Sequence, residues 1–146
     1  MRFQKQLFRH NPEAGTWGDC CRTAYACMLD LSPEEVPHFG ELYWDKDDEW
    51  RTAVREFLAK HGLMSIWVAF SGETPLADVL ATAAASNPGT YYLLSGKSKN
   101  GTNHVVIGLD GSIVWDPALD ESGIVGPCSD GLYWMEYMGS NKMRAA

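Results

Sequence analysis

The chain has 146 residues, with 12 Lys plus Arg against 19 Asp plus Glu, for a formal charge of −7. With 45% hydrophobic and 21% charged residues, it describes one globular domain over 1–146 and excludes a disordered chain. An acidic balance without a basic block argues against DNA, RNA or an anionic membrane as partner, and no apolar run approaches the ~20 residues of a membrane span. Residues 1–6 are polar and precede no apolar signal core, so the expected compartment is the cytoplasm.

In chain order, residues 1–9 read as a short strand and residues 11–18 as a turn-rich loop. Asp19 then reads as the N-cap of a helix over 20–30, with Ala24, Cys27, Met28 and Leu31 on one apolar stripe. Ser32-Pro33-Glu34-Glu35 is a capping box that starts a short second helix, which Pro37 stops. A helix over 48–61 follows, with Trp50, Val54, Phe57 and Leu58 inward and Gly62 as its C-cap. Residues 63–70 read as a strand, and Thr74-Pro75 opens another helix that ends at Asn87-Pro88-Gly89. From there the period changes to that of strands, at 90–95, 103–109, 113–116 and 132–138. Residues 117–131 read as a loop and 139–146 as a frayed tail. Helices first and strands after favour an α+β domain, with N-terminal helices packed on a mostly antiparallel sheet.

Four cysteines are present, Cys20, Cys21, Cys27 and Cys128. Three crowd together and the fourth is distant, which is neither a disulfide framework nor a zinc pattern, so no metal and no organic cofactor is expected. A reduced thiol can act as a nucleophile. Cys20 falls at a helix start, where the helix dipole favours a thiolate. His104 begins a strand and can take the thiol proton. Asp116 ends the next strand and can fix the tautomer of the ring and steady its charge.

The hairpin between these two strands has two possible registers. A two-residue Asp110-Gly111 turn pairs Leu109 with Ser112 and sends Asp116 to the face opposite His104. A three-residue loop closed by a left-handed Gly111 pairs Gly108 with Ser112 and sets His104 directly across from Asp116. Catalysis needs the second.

The run His10-Asn11-Pro12-Glu13-Ala14-Gly15-Thr16-Trp17-Gly18-Asp19-Cys20-Cys21-Arg22-Thr23-Ala24, with Leu29 and Val36-Pro37-His38-Phe39 after it, resembles small papain-like cysteine peptidase domains of bacteria and their phages. Bacteriocin-processing peptidases and cell-wall amidases are among these. Gly101-Thr102-Asn103-His104-Val105-Val106-Ile107 and Val114-Trp115-Asp116-Pro117 are similar to the same group's His and acid strands. The resemblance covers roughly residues 10–39 and 101–124. It implies a papain-like fold with Cys20, His104 and Asp116 as a triad cleaving an amide, peptide or isopeptide bond of a peptide or protein substrate. Many such enzymes place a Gln shortly before the nucleophile, and none lies between Leu7 and Asp19. Asn11 is the neutral amide nearest in chemistry to that oxyanion donor, beside the Cys20 N–H. Two other readings fit the same residues: an idle papain-like binding or inhibitory protein, and an acyltransferase or deamidase on the same triad. Cys21 and Cys27 read as packing residues, His38 as a cap, and His10 and His61 as structural. The acidic-aromatic stretch 43–50 reads as a solvated loop running into a helix.

Overall fold

The structure, a computed structural model, describes residues 1–145. Helix α1 is Cys20–Leu29, α2 is Phe39–Leu42, α3 is Asp47–Lys60 and α4 is Leu76–Ser86. The strands are β1 Leu63–Ser71, β2 Tyr91–Lys97, β3 Asn103–Leu109, β4 Ser112–Trp115 and β5 Leu132–Ser140. They form one open antiparallel sheet in the order β1-β5-β2-β3-β4. The expected α+β class is therefore observed.

Strand alternation divides the core in two. Leu93, Val105 and Ile107 meet Ala24, Tyr25 and Cys27 of α1, Phe39 of α2, and Val54, Phe57 and Leu58 of α3. Their neighbours Tyr92, Leu94 and Val106 meet Val79 and Ala83 of α4, with Tyr133, Met135 and Tyr137 of β5. The sheet is thus covered by helices on both faces. Gly108 is required where the Tyr92 ring lies: a Cβ there would come within 2.1 Å of that ring.

Several local expectations change. Residues 1–9 form no strand; the segment is pinned beside β4 by the Gln6 N–H donating to Pro117 O at 2.9 Å and the Trp115 indole donating to Gln4 O at 2.7 Å. The capping box at Ser32 and Glu35 starts a single 3-10 turn, Pro33–Glu35, because Pro37 leaves no room for more. A one-turn helix, α2, follows where the sequence pattern named no element, with the His38 ring accepting from the Glu41 N–H at 3.3 Å. The C-terminal stretch does not fray at Gly139. Strand β5 continues to Ser140, pairing Leu63 with Ser140, and Asn141–Met143 closes a 3-10 turn tied by the Asn141 N–H to Gly62 O.

Candidate active site

The candidate nucleophile position, Cys20, is built by the turn into α1. Asp19 is 1% exposed and sits at the N-cap, but its side chain makes no capping bond within the helix. Its carboxylate instead accepts from the N–H of Leu7 at 3.2 Å, the N–H of Phe8 at 2.9 Å and Nε of Arg22 at 3.0 Å. The expected cap is thus a latch that draws the N-terminal segment onto the helix start. Its charge is matched by Arg22, and its two oxygens are occupied away from the sulfur. The first helical bond runs from Thr23 N–H to Asp19 O, so the N–H groups of Cys20, Cys21 and Arg22 stay outside the helical ladder at its positive end.

The strand pair carrying His104 and Asp116 starts in the two-residue register expected from the sequence and then leaves it. The turn is the two-residue one, with Leu109 opposite Ser112 and Gly108 opposite Ile113. Its left-handed residue is Asp110, at φ 50°, and not Gly111. Continued straight, this pairing would put Asp116 on the wrong face. A β-bulge intervenes: Ile107 pairs with Trp115, which leaves Val114 as the extra residue. The one-residue shift brings Asp116 to the face of Val106 and His104, diagonally across from the imidazole. Trp115 correspondingly turns toward α1 and stacks on Phe3, with ring centroids 5.1 Å apart.

The result is a short contact between His104 Nε2 and Asp116 Oδ1, 2.6 Å. Asp116 Oδ1 also accepts from Ala118 N–H at 2.8 Å, and Oδ2 from Gly123 N–H at 2.7 Å, so the carboxylate is held by the loop after β4. Burial works against its charge, yet the His104 hydrogen bond and these backbone donors keep the carboxyl below its ordinary range. Burial likewise pulls the buried His104 ring down. Hydrogen bonds to Asp116 and to the Cys20 sulfur, with the charges of both, outweigh it and push the ring up to about 9. With Nε2 given to Asp116, the nitrogen left for the Cys20 sulfur is Nδ1.

The other cysteines and histidines separate from this trio. Cys21 is raised well above the ordinary thiol value, by burial first and then by the charges of Cys20 and Glu136. Cys27 is fully buried and its sulfur accepts from the Gln4 N–H. Cys128 is buried in the late loop, and its thiol is raised to about 11 by burial first and by Asp130. His10 accepts from the Gly18 N–H at 3.2 Å and lies 5.2 Å from the Trp44 ring. The His38 ring lies 3.1 Å from Trp17 O and stacks on Phe8. His61 packs on Phe57. The acidic-aromatic stretch forms an open depression lined by Tyr43, Asp48, Glu49, Thr52, Ala53 and Glu56, which none of the triad residues enters.

Asn11 does not look toward this site. Its side-chain oxygen caps the 3-10 turn Pro12–Ala14 at Ala14 N–H, and the residue is exposed. The amide that stands between the helix start and the acid strand is Gln6. It is 9% exposed, its backbone N–H reaches Pro117 O, and its two following N–H groups reach Asp19. Its Nε2 donates to Phe8 O, and its Oε1 is buried without a partner. Sequence spacing missed Gln6 because it lies well before the stretch usually searched; only the Asp19 latch brings it back.

A second buried polar group was not singled out in the sequence. Glu136 on β5 is 1% exposed and accepts from Tyr25 Oη at 2.8 and 3.0 Å and from Ser65 Oγ. Burial lifts its carboxyl to about 7, although Ser65 and Tyr25 favour the charged form.

No family model, curated protein or solved structure matches the chain. Among the described residues, no group of three or more His, Cys, Asp or Glu side chains is arranged to hold a metal ion. No helix there is long and apolar enough to cross a membrane.

Proposed function

We propose that the chain is a papain-like thiol hydrolase acting on an amide, peptide or isopeptide bond. The observation that carries this reading is the 2.6 Å contact between the His104 ring and the Asp116 carboxylate, brought together from two strands, with the Cys20 sulfur close enough to help raise that ring. A ring raised to about 9 is protonated at neutral pH and is suited to pair with a thiolate. The thiolate attacks the carbonyl carbon, and the electron pair of the C=O moves to oxygen. The Cys20 N–H at the helix start donates to that oxyanion. Collapse of the tetrahedral species breaks the C–N bond as His104 gives its proton to the leaving amine. The neutral ring then takes a proton from water, which attacks the thioester and releases the acid and the thiol. Asp116 fixes the ring throughout and steadies its charge.

Of the two amides, Gln6 is buried beside the latch and Asn11 is exposed on the loop; Gln6 Nε2 donates to Phe8 O, so service to the oxyanion would use its second N–H.

The test is labelling by a peptidyl acyloxymethyl ketone, with the modified residue located by mass spectrometry. Labelling at Cys20 is expected, absent in Cys20→Ser and reduced at least ~10²-fold in His104→Ala. Equal labelling of wild type and His104→Ala, or modification at Cys21 instead, would remove the enzyme reading and leave a binding protein on the same fold.

A further inference from the structure

The two edges of the sheet are treated differently. The β4 edge is short, bulged and covered. Phe3 stacks on Trp115, Trp115 donates to Gln4, Gln6 donates to Pro117, and Lys5 Nζ donates to the carbonyls of Asp116 and Ala118. The β1 edge has none of this. Leu63–Ser71 contains no charged residue and no proline, and it pairs with β5 in an unbroken register from Leu63↔Ser140 to Ser71↔Leu132. It pairs with no other strand, and among the described residues no backbone bond from a loop reaches its outer side between Met64 and Phe70.

At its middle, β1 is partly exposed on both faces of the sheet, with Trp67 packed beside Trp50 of α3 and Trp134 of β5. Ile66, Trp67 and Val68 are 38%, 39% and 39% exposed, with Ile66 and Val68 pointing one way and Trp67 the other. A long, straight, apolar strand without a bulge, lysine or proline is an unprotected edge.

We propose that β1 pairs with β1 of a second copy of this chain, antiparallel and centred on Trp67, joining two five-stranded sheets into one. A two-fold axis there sets Ile66 against Val68 of the other copy and Ser65 against Ala69, like with like in size on each face. It also brings the Lys60 and His61 end of one strand to the Glu73 end of the other, a complementary arrangement. The charge of −7 on each chain resists association elsewhere, while β1 itself carries no charge to oppose it. The interface stands apart from Cys20, His104 and Asp116 and does not depend on their chemistry.

The register supplies a specific test by sedimentation velocity of the full chain at micromolar concentration. Wild type is expected as a dimer. Ile66→Lys and Val68→Glu are each expected to raise the dimer dissociation constant about 10-fold or more, since each change occurs twice in a symmetric interface. The double variant is expected to recover the dimer, because residue 66 faces residue 68 across the axis and the charges then match. Val114→Lys, on the covered edge, is expected to stay dimeric. Far-UV circular dichroism confirms that each variant is folded. A monomeric wild type, or a folded double variant that stays monomeric, overturns the proposal.

Discussion

His104 is where burial and charge compete most directly. Burial alone would leave the ring neutral; Asp116 and Cys20 together lift it to about 9. The ring resonances, followed by NMR, should therefore titrate near pH 9 in wild type and move downward in Cys20→Ser and in Asp116→Asn, since each removes a charge or hydrogen bond that favours the protonated form. The acylation limb of the pH–rate profile should fall above about pH 9, when the imidazolium that protonates the leaving amine is lost. At the helix start, Gln6→Ala should lower kcat by about 10²-fold with little change in KM, as expected for a group that meets only the developing oxyanion. Asn11→Ala should leave kcat within about 2-fold, since its side chain serves only the Pro12–Ala14 turn. A large loss in Asn11→Ala with none in Gln6→Ala would return the role to Asn11. As candidates, Cys20, His104 and Asp116 were legible from residue type and local pattern because each sits at or beside an element end whose signal is local. Gln6 and Glu136 were not: a buried amide and a buried carboxyl are recognised by what surrounds them, and their surroundings come from other elements.

Among the elements, the β3–β4 hairpin teaches most about register. Its strands, its turn and its candidate residues could all be read from sequence. The sign of the Asp116 face could not, because it depends on one unpaired residue in the middle of a four-residue strand. Val114 carries no Gly or Pro signal and looks like any β-branched strand residue. The bulge makes an unusual expectation. Deleting Val114 should remove the irregularity while keeping Trp115 opposite Ile107, so Asp116 stays with His104 and Cys20 remains reactive toward the ketone probe. Inserting one Gly between Trp115 and Asp116 should displace the carboxylate and reduce labelling by at least ~10-fold. Loss of labelling in the deletion with the fold intact would show that the bulge itself, not the face it selects, is required. The same tension between local and distant signals explains the segment 1–9. Its alternation reads as a strand, but Pro117 and Asp19 take its N–H groups one at a time and no ladder forms.

For the molecule as a whole, two buried groups set how stability varies with pH. Glu136 is raised from an ordinary carboxyl value to about 7. The folded state therefore holds this proton more tightly than the unfolded chain, and its contribution is full at low pH and lost as pH rises from about 4.5 to about 7. His104 has the same sign over a later window, from about 6.5 to about 9. Each corresponds to a change on the order of 3 kcal/mol. Asp116, held below its ordinary value, acts oppositely and weakens the fold as pH drops through its folded value. Thermal melts should therefore show the highest midpoint in mildly acidic buffer and decline toward pH 9. Glu136→Gln keeps an acceptor for Tyr25 and Ser65 and should flatten the decline below pH 7 while leaving the later one. A wild-type midpoint that climbs steadily from pH 5 to 9 would contradict both assignments.

The segment before α1 ties these scales together. Residues 4–8 grip the nucleophile helix through the Asp19 carboxylate and the acid strand through Trp115, Pro117 and Asp116, and they do so with backbone groups for the most part. Two halves of the candidate site thus share a single strap, like both doors of a cabinet closed by one cord. Damage to that cord loosens sulfur and acid in the same event, so Phe8→Pro, which removes an N–H that Asp19 accepts from, should make thiol reactivity and imidazole titration fail in step, although that backbone group enters no chemistry.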